Sequence, residues 1–463
     1  MVGFSHMRVP ALALAALAGL SLFAQTPRLR VGITSDTHLG LADGPDQLKS
    51  VFGTFKRRGT DVVVISGDLV EDGKVAEYAY FLRIWTETFG AKPGRDGAPG
   101  LFLVWGNHDY RAASKFRNRT FTAAEADAFM LAHKDEVWRL FFDEPFPGEV
   151  YARTYGGVTF VGAHWQHEAE TVPWLKAHAN EVGTSNLFVY VQHPYLSGTV
   201  YLGARNGSPE TLTKELSAWP NCFSISGHCH SSLADDTALW QGAFTAMSAG
   251  TVKGVSLRHG TGVPSYANGR FSQKNAKPPY PHMKPCAGGR SGQGAVLSLY
   301  ADRVVVERID FARDKKVGDD WELPLPLETH PESPFVLATR AKGPEFPVGA
   351  KVTAKVVDGC NAMMEPERQL SVQVVQAVPV SKYGRTVWNR FEVLDAATGE
   401  VLRTADALQP GQALPLDEGL RMPADCAFAL SDLPQGRSVR VRVTPMNAAG
   451  VPGRPLAGDV LSL

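Results

Sequence analysis

The sequence predicts an α/β protein followed by a smaller all-β domain, and three observations support this fold class. From residue 30 to about 309, short apolar runs alternate with helix-like segments. A Pro-rich passage from Trp321 to Pro334 then indicates a linker. Beyond it, apolar and polar residues alternate without a long helix, which is typical of an antiparallel β-sandwich. The 463 residues are also too many for one compact core.

The apolar runs of the first region are rich in β-branched and aromatic residues, as expected for strands that are buried on both faces. They are LRVGIT (29–34), DVVVIS (61–66), LFLVW (101–105), VTFVGA (158–163), NLFVYVQ (186–192) and CFSIS (222–226). Helices are predicted over Lys74–Phe89 and Glu125–Phe142. Residues 296–310 predict a hairpin that turns at Ala301 and Asp302. Residues 258–294 are rich in Gly, Pro, Lys and Ser and predict a long loop, for which covering a site and lying in solvent are equal alternatives.

The first 25 residues predict a cleaved export signal. An apolar run from Pro10 to Ala24 follows a weakly basic start and is shorter than the roughly 20 residues of a membrane span. We therefore expect a periplasmic or secreted protein with no transmembrane segment after the signal. The alternative is a start at Met7 and a cytoplasmic protein. Basic and acidic residues both number 47, which gives no indication of nucleic-acid binding.

Five cysteines leave an odd thiol in a chain whose export would permit disulfides. They are Cys222, Cys229, Cys286, Cys360 and Cys426. Cys360 and Cys426 both lie in the C-terminal third and could pair there. Buried free thiols are the alternative.

Short polar clusters follow most of the predicted strands of the first region. In chain order they are Asp36 with His38, Gly67-Asp68, Gly106-Asn107-His108-Asp109, His193, and Gly227-His228-Cys229-His230. Ligands of open α/β sheets gather at the carboxyl ends of the strands, so these clusters are expected to meet in one crevice. Imidazole and carboxylate together suit Fe, Mn or Zn better than Ca. The glycines fit sharp turns that a Cβ would hinder.

The order D-x-H, G-D, G-N-H-D, H and G-H-x-H resembles that of the calcineurin-like metallophosphoesterase family over about Val31 to His230. The resemblance implies a four-layer α/β/β/α domain, which we expect over residues 28–313. A linker would follow at 314–333, and the β-sandwich would occupy 334–463. The passage SVRVRVTPMNAAGVPGRPL near the C-terminus resembles the last strand pair of fibronectin type III modules. A sandwich of this kind could contact the cell envelope or a glycan.

The resemblance implies a centre of two metal ions. Asp36, His38 and His230 would hold the first cation. Asn107, His193 and His228 would hold the second, and Asp68 would bridge the two. Two divalent ions about 3.5–4 Å apart repel each other strongly, and a bridging carboxylate reduces that repulsion.

The resemblance also implies a reaction. A metal-bridging hydroxide would attack the phosphorus of a small-molecule phosphate mono- or diester. His108 would not be a ligand but would stabilise charge on the phosphoryl group and protonate the leaving oxygen. Asp109 would be the carboxylate that orients the His108 imidazole. The alternative is a non-catalytic binding protein on the same scaffold.

Several further residues near these motifs have weaker assignments. Tyr110, Arg111 and Tyr195 are candidates for substrate contact. His164 and His167 are expected to be structural or to support the ligands from behind, and Asp72 is expected to belong to a turn or a helix start. Trp165 and Trp174 are expected to pack in the core. Cys229 should face away from the two histidines beside it.

Overall fold

The computed structural model describes residues 26–41, 44–112, 123–183, 186–203, 209–254, 292–327, 335–360, 365–420 and 422–463. The predicted export signal, Cys286 and nearly all of the predicted loop at 258–294 therefore lie outside the described residues. Within these ranges, none of the helices combines the length and the hydropathy that spanning a bilayer requires.

Within the described ranges, the first region contains thirteen strands and six regular α-helices, besides a distorted helical turn at Val200–Gly203. The strands are β1 (Leu29–Thr34), β2 (Val62–Ser66), β3 (Gly100–Val104), β4 (Val150–Tyr155), β5 (Val158–Ala163), β6 (Phe188–Gln192), β7 (Cys222–Ser226), β8 (Leu239–Gln241), β9 (Thr245–Ser248), β10 (Gln293–Leu299), β11 (Arg303–Asp310), β12 (Lys315–Lys316) and β13 (Trp321–Pro324). The helices are α1 (Gly44–Arg58), α2 (Val75–Phe89), α3 (Ala123–Phe142), α4 (Thr171–Ala177), α5 (Ala179–Val182) and α6 (Glu210–Leu216).

These strands form two mixed sheets. The first has seven strands in the order β12-β11-β10-β1-β2-β3, with β13 also paired to β11. The second has six strands in the order β4-β5-β6-β7-β9-β8. Strands β1, β2 and β3 are parallel, as are β5, β6, β7 and β9. The mixed α/β region that the sequence predicts is confirmed.

The two sheets contact each other through a common apolar core. Every residue of β2, β3, β6 and β7 is buried, which agrees with their nearly continuous apolar sequences. Phe102 of β3 stacks on Tyr151 of β4 at 4.8 Å between ring centroids and lies 5.6 Å from Phe160 of β5. This contact brings the ends of β1, β2 and β3 close to the ends of β6 and β7.

The two predicted helices are confirmed within two residues at each end. Helix α2 begins after Lys74, where the Glu77 carboxylate accepts a hydrogen bond from the Lys74 backbone N–H at 3.1 Å. It ends at Gly90, whose φ of 92° only glycine adopts readily. The Trp85 ring of this helix packs on Phe52 of α1, 5.2 Å away.

The predicted linker at 314–333 is wrong in its first half. Strand β13 pairs with β11 from Trp321–Val306 to Pro324–Arg303, and Lys315 and Lys316 pair with the end of the same strand. Trp321 and Leu323 are buried, whereas Glu322 and Pro324 between and after them are exposed. This alternation extends the first sheet, and Pro324, one of the prolines that predicted a linker, lies at its edge, where no ladder donor is needed.

The C-terminal region is all-β apart from two short helices, α7 (Val336–Arg340) and α8 (Leu416–Gly419). Its strands are β14 (Val352–Cys360), β15 (Pro366–Val374), β16 (Thr386–Asp395), β17 (Val401–Leu408), β18 (Ala424–Ala429), β19 (Ser438–Asn447) and β20 (Leu456–Ser462). They form a sheet β14-β15-β18 and a sheet β17-β16-β19-β20, both antiparallel. A shared apolar core joins the two sheets, as the alternating sequence predicts.

The two regions contact each other directly. Arg313 pairs with Glu418 at 2.7 Å, and the Tyr383 hydroxyl donates to the Asp320 carbonyl oxygen at 3.0 Å. The buried Arg385 guanidinium donates to the carbonyl oxygen of Val317 at 2.9 Å.

Cys360 and Cys426, the two cysteines that could have formed a disulfide, are both free thiols. Cys426 lies in the core between the sandwich sheets, whereas Cys360 is exposed at the end of β14. Their side chains therefore face different surroundings.

Candidate metal centre

The polar clusters that follow the strands adopt an unusual backbone conformation. Asp36, His38, Asp68, His228 and His230 all have positive φ, between 43° and 73°. L-residues other than Asn and Asp adopt this region rarely, and such strain persists where the surrounding structure imposes it, as at functional sites. The turns bend each loop back so that the side chains face a common point.

Glycines allow these loops to approach one another closely. A Cβ at Gly67 would lie 2.1 Å from His193 Nδ1, and one at Gly106 would lie 2.2 Å from Asp68 Oδ1. A Cβ at Gly227 would lie 1.7 Å from a serine hydroxyl oxygen. Only Gly67 of the three also has a positive φ, at 88°. The predicted need for glycine is therefore mainly one of space.

Three of the predicted ligands form a first cluster, which we define as Asp36, His38 and His230. The His230 Nε2 atom lies 3.2 Å from Asp36 Oδ1, and His38 Nε2 lies 3.3 Å from His230 Nε2. His38 is buried, and the His230 side chain is 20% exposed. One divalent cation among these three atoms would be close to all of them.

The second cluster is Asn107, His193 and His228. The His193 Nε2 atom lies 3.3 Å from Asn107 Oδ1 and 3.1 Å from His228 Nδ1. Carbonyl oxygen and imidazole nitrogen are both suitable ligands for Fe, Mn or Zn.

Asp68 lies between the two clusters. Its Oδ2 is 3.6 Å from His38 Nε2, and its Oδ1 is 3.4 Å from His193 Nε2. One carboxylate oxygen thus faces each cluster, which is the arrangement a bridging ligand requires. Metal ligation by the seven residues remains a prediction, but the structure brings all seven side chains together.

Hydrogen bonds behind the rings fix which nitrogen faces the centre. His193 Nδ1 lies 2.7 Å from the Ser66 carbonyl oxygen, and His38 Nδ1 lies 2.7 Å from Glu71 Oε2. Both acceptors require a proton on Nδ1, so both Nε2 atoms are left with a free lone pair.

Burial favours the neutral form of His38 and His228, whereas the neighbouring carboxylates favour the charged form of His193 when no cation is bound. Burial outweighs the nearby carboxylates and lowers the pKa of His38 to about 4, and burial together with His193 does the same for His228. Burial also opposes charge on His193, but Asp68 and Asp36 outweigh it and raise the His193 pKa to about 9. Burial alone would raise the pKa of Asp36, yet the surrounding histidines hold it well below its usual range. The buried carboxylates of Asp36 and Asp68 therefore favour a positive charge, on a histidine or a cation, between the two clusters.

One buried atom indicates directly that a cation fits. Asp36 Oδ2 accepts hydrogen bonds from Ser35 Oγ at 2.5 Å and from the His228 backbone N–H at 2.9 Å. Asp36 Oδ1 is also buried, and in the described part of the chain it accepts no hydrogen bond of good geometry, although His230 Nε2 lies 3.2 Å and His38 Nε2 3.9 Å from it. A buried carboxylate oxygen without a partner is costly unless a cation coordinates it.

The structure reassigns the role of Asp109. Its buried carboxylate accepts from the backbone N–H of Gly106 at 2.8 Å and from the Tyr78 hydroxyl at 2.9 Å. These bonds direct it to the loops and away from the His108 ring, so the predicted orienting role is wrong. Burial, reinforced by the charge of Asp68, raises its pKa to about 7. Asp109 instead stabilises the turn that carries Asn107.

Glu71 takes the place that was predicted for Asp109. His108 Nδ1 lies 3.1 Å from the Glu71 carbonyl oxygen and 3.3 Å from Glu71 Oε2. The same carboxylate contacts His38 and pairs with Arg111 at 2.6 Å. Lys253 Nζ lies 3.8 Å away. Glu71 and Lys253 were not predicted from the sequence. Glu71 could have been found from its position in GDLVEDG, where its carboxylate follows Asp68 by three residues.

The remaining candidates divide into two groups. Arg111 reaches the site, since its Nη2 lies 2.9 Å from His108 Nε2 and its side chain is 39% exposed. Trp165 is half-buried and packs on the ligand rings, 5.2 Å from His228 and 5.6 Å from His193. It lies at the second cluster rather than in the core as predicted.

The other candidates lie away from the centre. Tyr195 is buried with its hydroxyl 3.0 Å from Ser248 Oγ, and the ring of Tyr110 lies 4.9 Å from Lys134 Nζ. His164 is buried and its Nδ1 accepts from the Trp105 backbone N–H at 3.0 Å, which is a structural role. His167 pairs with Glu170 at 2.8 Å.

Comparison with known proteins agrees with this site. Residues 29–230 match the family model described as calcineurin-like phosphoesterase, in the same part of the chain as the motifs on which the sequence-based resemblance rests. A probable cyclic nucleotide phosphodiesterase from Synechococcus is 26% identical over 186 residues, which are 39% of this chain and 62% of the relative. The chain thus spans less than two thirds of that relative.

The solved structures to which the chain is similar are more distant. A dimetal phosphatase from Danio rerio is 12% identical with a TM-score of 0.37, covering 64% of this chain and 98% of its own. The purple acid phosphatase of yellow lupin seeds is 12% identical with a TM-score of 0.39, covering 64% of this chain and 53% of its own. These values are too low to bear on function.

Proposed function

We propose that this protein is a metal-dependent hydrolase of a phosphate mono- or diester. The observation that carries the proposal is the pair of ligand clusters that share Asp68, with Asp36 Oδ1 buried beside the imidazole nitrogens of His230 and His38. Asp36, His38, Asp68 and His230 would hold one cation, and Asp68, Asn107, His193 and His228 the other. Divalent cations at these positions would polarise the phosphoryl oxygens and lower the pKa of water.

His108 supplies the acid–base group of this proposal. Its ring lies edge-on to His38 at 4.3 Å between centroids, and its backbone N–H donates to Asp68 Oδ1 at 2.8 Å. Contact with Glu71 favours a proton on Nδ1, and Nε2 lies 2.9 Å from the Arg111 guanidinium. When a phosphate takes up Arg111 and the imidazole carries a proton on both nitrogens, the ring could stabilise charge on the substrate and give its Nε2 proton to the leaving oxygen.

Arg111 and Lys253 would bind the phosphoryl group. Both lie beside Glu71, and their side chains are 39% and 36% exposed. The guanidinium of Arg111 is placed within reach of the same ring edge from which His108 acts. Arginine binds phosphate through paired N–H donors, so an incoming phosphate can take up the Nη2 donor that now faces His108.

An assay of the full chain reconstituted separately with Mn²⁺, Zn²⁺ or Fe tests this function. The panel comprises p-nitrophenyl phosphate, its bis-ester and a set of phosphomonoesters, phosphodiesters and pyrophosphates. We expect turnover that requires added metal and stops with a chelator. A folded sample that binds two cations but turns over nothing on this panel would favour a non-catalytic binding protein.

We also propose export to the periplasm or the medium, supported by the apolar run from Pro10 to Ala24. Fractionation of cells that express the full chain with a C-terminal tag should place the shortened protein outside the cytoplasm. Full-length protein that stays in the cytoplasm would overturn this proposal.

Two finer points of architecture belong to the same proposal. The first point is a four-layer arrangement with helices on the outer face of each sheet. It is supported by the contact of Phe55 in α1 with the first sheet and by that of Thr171 in α4 with Tyr190 of the second sheet. The division of the C-terminal strands into three and four supports a fibronectin type III-like sandwich. Contact of this sandwich with the cell envelope or a glycan would be its role.

A further inference from the structure

Gln293, the first residue of β10, joins three parts of the molecule through one buried amide. Its side chain is fully buried. The Nε2 group donates to the Ala413 carbonyl oxygen of the C-terminal region at 2.6 Å. The Oε1 atom accepts from Ser232 Oγ at 3.1 Å and from the Leu233 backbone N–H at 2.8 Å. The amide thus acts as a donor on one side and as an acceptor on the other.

Both partners of Oε1 follow directly after the first cluster. Ser232 and Leu233 are two and three residues beyond His230, on the same loop. Arg308 holds this loop from the other side, since its Nη1 donates to the Leu233 carbonyl oxygen at 2.8 Å. The position of the His230 backbone therefore depends on the groups that fix Leu233.

The backbone of Gln293 leads to a second member of the first cluster. It exchanges hydrogen bonds with Thr251 at 2.7 and 2.8 Å. The two residues that follow Thr251 bind the Asp36 loop. The Val252 N–H donates to the Ser35 carbonyl oxygen at 2.9 Å, and the Lys253 N–H donates to the Asp36 carbonyl oxygen at 3.0 Å. Gln293 thus lies behind both the Asp36 loop and the His230 loop.

We infer that Gln293 is a positioning residue for the first cluster, and that the C-terminal region, through Ala413, is part of the scaffold that sets the spacing of Asp36 and His230. The inference rests on the proposed metal centre. It gives the sandwich a role in cation binding that does not depend on an external partner. Groups behind the ligands of a metal site commonly change its affinity by about 10- to 100-fold.

The test measures cation binding directly in the full chain. Gln293→Met keeps the length and apolar volume of the side chain but removes the donor and the acceptor. Stepwise titration with Mn²⁺ by calorimetry should show one of the two binding steps weakened by about tenfold or more and the other unchanged. With Co²⁺, the visible absorption of the weakened site should also change, because the band depends on ligand geometry.

Tyr383→Phe is the matched control. It removes one hydrogen bond between the same two regions, to Asp320, which lies on a different segment from the His230 loop. We expect its two Mn²⁺ affinities to equal those of the wild type. If Gln293→Met unfolds, Ser232→Ala removes one of the two Oε1 bonds and should weaken the same step by a smaller factor.

The outcomes separate this inference from the proposed function. A wild-type chain that binds no pair of cations refutes the metal centre itself. A wild type that binds two, with unchanged affinities in Gln293→Met or, if that variant does not fold, in Ser232→Ala, overturns only the positioning role. Equal weakening of both steps, or the same loss in Tyr383→Phe, would show a general effect of domain contact and would also overturn it.

Discussion

The two ligand clusters lie side by side but are held by different kinds of group. In the first cluster, His38 is oriented by the carboxylate of Glu71, and the His230 loop is fixed by the amide of Gln293. In the second, His193 is oriented by the main-chain carbonyl of Ser66, and the Trp165 ring packs on two histidines.

This difference predicts at which cluster a substitution should weaken cation binding more. A backbone carbonyl is set by the sheet and cannot be removed by substitution, whereas a carboxylate or an amide can. The first cluster also draws its supports from sequence positions as distant as Glu71, Gln293 and Ala413. We therefore expect distant substitutions to affect the first cation more than the second.

The largest effect is expected at the group that both clusters share. Asp68→Asn replaces a bridging carboxylate by an amide with one neutral oxygen, so both cations should be lost and turnover should fall by several orders of magnitude. Metal content by mass spectrometry checks this. Asp72→Asn, whose carboxylate contacts Lys74 near the start of α2, is the control and should keep both cations. Retention of either cation in Asp68→Asn would contradict the bridging role.

The next largest effect should be on turnover alone, with cation binding at both clusters unchanged. His108→Ala removes a group that contacts Glu71 and Asp68 but belongs to neither cluster. We expect both cations to remain while kcat falls by about 10²- to 10⁴-fold, as is usual when an acid–base group is removed. Metal content and kcat are measured on the same sample. Metal loss equal to that of Asp68→Asn would mean that His108 is a ligand.

A smaller and selective effect is expected at Glu71. Glu71→Gln keeps the shape but removes the negative charge that orients His38 and His108, so the first cation should bind about tenfold more weakly. The second cation, whose His193 rests on a backbone carbonyl, should bind as before. Calorimetric titration with Mn²⁺ distinguishes the two steps. If the Mn²⁺ affinities of both steps fell by the same factor, the two clusters would not differ in how they are supported.

The last effect concerns stability rather than cation binding or turnover; it lies in the loop behind the first cluster and depends on pH. Burial raises the pKa of Asp235 from 3.8 to about 7, although Thr237 donates two hydrogen bonds to it. The folded protein then holds a proton that the unfolded chain releases near pH 4. Stability from this group is complete below about pH 4 and declines as the pH rises to about 7, by roughly 1.4 kcal/mol per pH unit at most.

Asp235→Asn does not titrate and keeps an acceptor for the Thr237 N–H. Its melting temperature relative to the wild type should therefore rise between pH 4 and pH 7 and stay level above pH 7. Thermal melts of both proteins in a series of buffers measure this difference. A difference that does not change with pH would show that Asp235 is ionised in the fold.

Much of the site could be predicted because it depends on local pattern. Buried parallel strands read as apolar runs, and their ends carry the polar residues, so the order of Asp36, Asp68, Asn107, His193 and His230 indicated one crevice. Short strands such as β8 and the strand β13 inside the Pro-rich segment were missed. Three or four residues carry too little periodicity, and only pairing with β11 makes Trp321 part of the sheet.

By itself the sequence determined the alternation of strands and helices, the all-β C-terminal region and the set of side chains that meet at the strand ends. Tertiary structure alone decided which groups support them: Glu71 rather than Asp109 beside His108, and Gln293 between the His230 loop and Ala413. The physical reason is that the apolar pattern of a strand depends only on residues that are adjacent in the sequence. A hydrogen bond between Gln293 and Ala413 exists only after folding has brought together positions that are 120 residues apart.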